Sequence, residues 1–246
     1  MTDPSPHATL VAAPPHTTLV GSRILAYATV ESTNDRALQT GGDGTVVVAD
    51  CQIAGRGRQG RRWHSAPGLG LYLSVALDGP GEGLMFAAAL AVRDALRPYC
   101  RTDVKWPNDV LAAGRKVCGI LIEHKENLAA VGIGINVHHR HEDFPEEIRD
   151  TATSLAMAAK RPLDRAEILR AVLTELDKRV ILLRAGGLEA IWREWADACA
   201  LKGRKIRCGD AEGVVTDIEP SGALCLDTAN GPTRLVSGEI TVLNGA

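Results

Sequence analysis

Residues 128–137 alternate with period two, and the two rows are unlike each other. Val131, Ile133, Ile135 and Val137 point one way, and Gly132, Gly134 and Asn136 point the other. The first row is the inner face of a strand in an aliphatic core. The second row has almost no side chain, so something must lie closely against it, either a packed helix or a ligand. A second strand, residues 69–77, places Leu69, Leu71, Leu73, Val75 and Leu77 on one face. The β-branched run 45–49 reads as a further buried strand, and residues 23–27 as a short one. Pro107 holds Trp106 extended at the end of 104–106, and Ala113-Gly114-Arg115 reads as a hairpin turn into 116–123.

Helical segments alternate with these strands. Ser32-Thr33-Asn34-Asp35 has the spacing of a helix start, with the Ser32 hydroxyl accepting from the Asp35 N–H and the Asp35 carboxylate reaching back. That helix is expected to stop at Gly41-Gly42. Residues 84–96 are rich in Ala and Leu and read as a buried helix. Asp164 and Glu167 have capping-box spacing ahead of an apolar repeat at Ile168, Leu169, Val172, Leu173, Leu176 and Val180. Gly186-Gly187 breaks that helix, and a second is expected over 188–201. After Gly203 short β runs alternate with Gly, Asp, Asn and Pro, the rhythm of a small β-barrel. The expected organisation is a leader over 1–20, a main domain over 21–202 and a barrel over 203–246.

Composition narrows the class. With 28 basic and 30 acidic residues the net charge is −2, so no global basic field favours nucleic acid. No stretch reaches the length of an apolar membrane span. The leader, with Pro4, Pro6, Pro14 and Pro15, lacks the pattern of a signal peptide and is expected to be flexible to about Val20. Six cysteines form no Cys-x-x-Cys pair and are expected to be reduced thiols in a cytoplasmic protein. His138, His139 and His141 read as a surface loop, and no tightly bound metal is expected.

Four segments carry candidate chemistry. The first is the loop from Gln52 to Trp63, whose residues 55–63, GRGRQGRRW, place four arginines and three glycines ahead of the closing Trp63. Glycines let backbone approach a ligand, and arginines offer planar forks for carboxylate and phosphate. The segment suits a small, multiply anionic ligand, although a solvated basic turn or an element reaching into a DNA minor groove has the same composition. The second is Ser32–Asn34, a helix cap that can also hold a polar or anionic group. The third is Lys105-Trp106-Pro107-Asn108-Asp109, where Asn and Asp in one turn suit phosphate with hydrated magnesium. The fourth is 116–119, opening with Lys116. Cations abound and nucleophiles do not. Such a set suits a reaction whose attacking group belongs to the substrate, such as a carboxylate attacking the α-phosphate of ATP.

In this order the motifs resemble the biotin protein ligases: Ser32-Thr33-Asn34, Gln52 ahead of GRGRQGRRW, KWPNDV, KVCGILIE, VGIGINV and then Thr153-Ser154-Leu155. The resemblance implies an α+β fold, a mixed sheet flanked by helices and related to class II aminoacyl-tRNA synthetase domains, followed by an SH3-like barrel. It implies activation of biotin by ATP as biotinyl-5′-AMP and transfer to one lysine of a biotin carboxyl carrier protein. Ser32, Thr33, Asn34 and Gln52 would contact biotin. Arg56, Gly57 and Arg58 would close over biotin and the adenylate phosphate, with Arg61 and Trp63 ordering the loop over the nucleotide. Lys116 would bridge biotin carboxylate and phosphate beside Gly119, with Lys116, Arg58 and Arg56 as the catalytic set. Asn108 and Asp109 would face ATP and Mg2+, Asp109 as the one metal contact. Gly132, Gly134 and Asn136 would floor the pocket, Asn136 on the nucleotide side. Some relatives carry an N-terminal DNA-binding domain; twenty leader residues are too few for one, so no nucleic-acid partner is expected. An exposed sheet edge leaves monomer and homodimer both open. The rival readings are a lipoate or octanoate ligase, which needs an apolar acyl channel, and a nucleic-acid-binding module using the basic loop.

Overall fold

The protein is described by a computed structural model covering residues 16–79, 81–159 and 161–243. Its main body is a seven-stranded mixed sheet. The strands are β1 (Arg23–Val30), β2 (Thr45–Gln52), β3 (Gly70–Asp78), β4 (Thr102–Lys105), β5 (Asp109–Ala112), β6 (Arg115–Lys125) and β7 (Leu128–Asn136). Their order is β1-β2-β3-β7-β6-β5-β4. Only β1 and β2 run parallel, linked by the crossover helix α1 (Thr33–Thr40); the other neighbours are antiparallel.

The strand alternation decides what covers each face. Leu71, Leu73 and Val75 of β3 and Val131, Ile133 and Ile135 of β7 enter one large core. That core is closed by α2 (Leu84–Leu96), α4 (Arg165–Arg184) and α5 (Leu188–Asp197), whose Leu90, Val172, Leu173 and Trp195 are fully buried or nearly so. Full burial of one such aliphatic side chain is worth about 1.5–3 kcal/mol. Among the described residues the opposite face holds a small cluster under α1, made of Tyr27, Ala37, Val47, Ala49, Ala76 and Ala130. The rest of that face is open to the site described below.

Several local expectations change in detail. Ser32 caps α1, its Oγ accepting from the Asp35 N–H at a long 3.5 Å, but the Asp35 carboxylate turns to Arg56 instead of back to the cap. Asp164 caps α4 by accepting from Ala166 N, while Glu167 takes a hydrogen bond from Arg161. The helix expected over 188–201 ends at Asp197, because the next residues pair with the sheet. Val104 N donates to Ala198 O and Ala200 N to Val104 O, which covers the edge of β4. Of the expected leader, residues 1–15 lie outside the described residues. Its end is tied down: the N–H groups of Thr18, Leu19 and Val20 donate to the buried Asp177 carboxylate of α4 at 2.9, 2.8 and 2.8 Å. His139 is not on the surface but fully buried, stacked on Phe144 with ring centroids 5.1 Å apart.

Residues 205–242 form β8 (Lys205–Cys208), β9 (Ala211–Ile218), β10 (Leu224–Thr228), β11 (Gly231–Leu235) and β12 (Thr241–Val242). They make an antiparallel sheet in the order β11-β10-β9-β8-β12, with no pairing between β11 and β12 among the described residues. Trp106 Nε1 donates to Gly222 O and Trp192 Nε1 to Ile218 O, at 2.8 and 2.7 Å, binding this sheet to the main body. All six cysteines are free thiols. No helix among the described residues is long and apolar enough to cross a membrane.

Candidate functional site

A cavity of about 690 Å3 opens on the glycine face of the sheet. All sixteen residues singled out from the sequence line it, brought together from α1, the β2–β3 connection, the starts of β5 and β6, and β7. The glycines are required by contact. A Cβ on Gly134 would lie 2.5 Å from the Trp63 indole, and one on Gly119 would lie 2.7 Å from it. A Cβ on Gly132 would collide with the Asn34 amide. The bare row of β7 therefore receives Trp63 and Asn34, and the cavity lies beside and above them.

At the α1 end the polar groups form a closed network. Gln52 Oε1 accepts from Thr33 N and Thr33 Oγ1 at 2.9 and 3.0 Å, and Gln52 Nε2 donates to Ser65 Oγ at 3.2 Å. Buried Ser74 lies 2.7 Å from Thr33 Oγ1 and donates to Asn34 Oδ1 at 2.6 Å. Asn34 Nδ2 donates to Leu121 O and Glu123 Oε2. Seryl, threonyl and amide groups held this way present fixed donors and acceptors to a polar ring at little entropic cost.

The cations differ sharply in their partners. Arg56 makes a bidentate pair with Asp35 at 2.8 and 2.5 Å and two further hydrogen bonds with Glu123 at 3.2 and 3.1 Å. The hydrogen bond from Arg56 holds the Asp35 carboxyl below the usual carboxylate range, and these carboxylates hold Arg56 firmly protonated. Its guanidinium is thus engaged by carboxylates of the protein, at the edge of the cavity it lines. Arg61 pairs with Glu239 at 3.1 and 2.8 Å, both exposed. Lys116 Nζ lies 2.6 Å from Asp109 Oδ1 and 5.4 Å from the Trp63 ring centroid. That charge contact is the one partner of the buried Asp109 Oδ1 among the described residues. Arg58 alone of the three expected catalytic residues has a side chain with neither hydrogen bond nor ion pair among the described residues. Desolvation lowers its pKa, and Asp109 opposes that shift. A half-buried cation without a partner is a costly arrangement that an anion would relieve.

Two expected site residues do structural work. Asn108 Nδ2 donates to Ile120 O at 2.7 Å, and buried Asn136 Nδ2 donates to Thr153 O at 2.9 Å. The second bond helps place a wall that the sequence did not reveal. Phe144, Glu147, Ile148, Asp150, Thr151 and Ala152 line the cavity, held by a bridge in which Lys116 N donates to Thr151 O and Thr153 N to Lys116 O. Gly238, Glu239, Ile240 and Thr241 reach the cavity from the second sheet. The only advance signal for the wall was the motif Thr153-Ser154-Leu155, where Ser154 caps the short α3 (Leu155–Ala158). No group of three or more His, Cys, Asp or Glu placed to hold a metal occurs among the described residues.

The chain is similar to proteins already known. Residues 26–139 match the Biotin/lipoate A/B protein ligase family, and 204–243 match the Biotin protein ligase C terminal domain. The chain is 34% identical over 244 residues to the bifunctional ligase/repressor BirA of Bacillus subtilis, covering 91% of this chain and 75% of the relative. It is 36% identical over 216 residues to a biotin–acetyl-CoA-carboxylase ligase of Mycobacterium tuberculosis, covering 82% and 80%. A solved structure of biotin protein ligase from Aquifex aeolicus, in complex with biotin and ATP, superposes with a TM-score of 0.80 at 30% identity, covering 91% of this chain and all of that one.

Proposed function

This chain belongs to the biotin protein ligase family, and we propose that the cavity on the glycine face runs both half-reactions of a biotin–carboxyl carrier protein ligase. In the first, a biotin carboxylate oxygen attacks the α-phosphorus of ATP and pyrophosphate leaves, giving biotinyl-5′-AMP. In the second, the ε-amine of a carrier lysine attacks the biotinyl carbonyl and AMP leaves. Neither step needs a protein nucleophile, so the chain contributes orientation and charge.

The observation that carries this reading is the unpaired Arg58 side chain at a cavity where Arg56 and Lys116 already meet carboxylates. Arg58 meets the α-phosphate, and Lys116 leaves Asp109 to bridge biotin carboxylate and phosphate. Thr33, Asn34 and Gln52 face the ureido ring, with Ser32 shaping the helix start; such a polar set disfavours a plain acyl chain. Trp63 and the Phe144–Ile148 wall flank the nucleotide. The Asp109 carboxylate, released when Lys116 turns to the substrate, would fit a role beside Mg2+, which one carboxylate and substrate phosphates commonly hold together. When bound, Mg2+ neutralises phosphate charge. Gly57 lets the loop backbone approach the adenylate, and loop closure excludes water from it. The enzyme works in the cytoplasm on its carrier protein, without nucleic acid.

The test is transfer itself. Incubated with biotin, Mg–ATP and an isolated carrier domain, the protein adds one biotinyl group to one lysine, seen as a mass increase on a single peptide. Absence of that adduct, with adducts from lipoate or octanoate in its place, contradicts the reading.

A further inference from the structure

We propose that Glu123 is a positioning residue that ties the start of the basic loop to the floor of the cavity. Glu123 lies on the face of β6 that carries Gly119 and Leu121. Across the ladder Gly119 pairs with Gly134, Leu121 with Gly132 and Glu123 with Ala130, so the residue stands on the cavity side of the sheet. Its Oε2 accepts from Asn34 Nδ2 at 2.7 Å and from Arg56 Nη2 at 3.1 Å, and its Oε1 accepts from Arg56 Nε at 3.2 Å. One carboxylate therefore joins the amide that packs on Gly132 to the second residue of the loop.

An ordinary outward-facing strand glutamate would need neither partner. Here the side chain is 30% exposed and both oxygens are engaged. Asp35 from α1 takes the other edge of the same guanidinium. Two carboxylates from separate elements fix the plane of a guanidinium where one would leave it free to pivot. That placement passes onward through backbone: Arg56 bridges Arg62, and Gly57 N donates to Arg61 O at 2.7 Å, closing the turn that carries Arg58. Glu123 touches no substrate in this scheme; it acts through Asn34 and Arg56. The inference rests on the reading that this loop covers the biotinyl adenylate.

Glu123→Gln in the full chain tests it, because Asn34 and Arg56 both donate and an amide supplies only one acceptor. Trypsin cleavage at the four loop arginines, without ligand, is expected to rise about tenfold as a charge-assisted contact is lost. The KM for biotin in adenylate formation is expected to rise about tenfold, with kcat changed less than about threefold. The melting temperature stays near that of wild type. Glu123→Asp keeps the charge but shortens its reach, and gives smaller changes of the same kind; it carries the test if the Gln variant does not fold. Wild-type cleavage and wild-type biotin KM in the folded variant overturn the inference. If wild type itself forms no biotinyl adenylate, the functional reading falls, and the cleavage comparison alone then decides whether Glu123 holds the loop.

Discussion

The two rows of β7 are made by the same nine residues and serve opposite ends. Val131, Ile133 and Ile135 fill the core beneath α2 and α4, whereas Gly132, Gly134 and Asn136 leave room for Asn34, Trp63 and the cavity. The helix-covered face is close-packed and aliphatic, where shape is enough. The cavity face is polar and its groups come from distant segments, so its geometry depends on hydrogen bonds and ion pairs. Period two keeps the two duties apart: a change in one row should register in stability, and a change in the other in activity.

The largest expected effect breaks the core face. Leu73→Ala, at a fully buried position, should cost about 2–5 kcal/mol in denaturant unfolding. The fraction that remains folded should keep its biotin KM. On the cavity face, Arg58→Ala or Lys116→Ala should slow adenylate formation by about 10²–10³-fold, roughly 2.7–4 kcal/mol, with no loss of melting temperature in the first and a small one in the second, which leaves Asp109 without its partner. Wild-type rates in both variants would refute their roles.

A third prediction concerns His139, which belongs to neither row. Burial foremost, then the neighbouring His64 and His138, lower its pKa to about 4 from 6.5, while Asp143 opposes the shift. The ring is neutral in the folded protein between those values, but the unfolded chain takes up a proton there. Its contribution is therefore fully present above about pH 6.5 and is lost as pH falls toward 4, up to about 3 kcal/mol. His139→Phe should flatten that part of the stability–pH curve; an unchanged slope would show that the titration lies elsewhere. The smallest effect sharpens the contrast between rows. Gly134→Ala sets a methyl 2.5 Å from the partly exposed Trp63 ring, which must shift with its loop, and should lower kcat/KM for biotin about tenfold while costing about 1 kcal/mol of stability.

Much of the core face is legible in the sequence because aliphatic periodicity reports burial directly. The strands at 69–77 and 128–137 and α2 come from that signal alone. The cavity residues are legible as ordered motifs, since Gly, Arg and Asn at fixed spacings answer to close approach and charge. Their partners are not. Arg56 meets carboxylates 21 and 67 residues away, which no local pattern announces. The wall at 144–152 has no periodicity and is placed by backbone pairing with Lys116. His139 sits among polar letters that read as surface, yet Phe144 covers it. The early stop of α5 likewise follows from a pairing with β4 that only the tertiary fold creates.

The most direct test of the central claim is biotin-dependent exchange of labelled pyrophosphate into ATP by the purified protein. The account predicts exchange with biotin, strongly reduced in Arg58→Ala and Lys116→Ala, and little with lipoate or octanoate. No exchange with biotin, together with exchange driven by lipoate or octanoate, would contradict it.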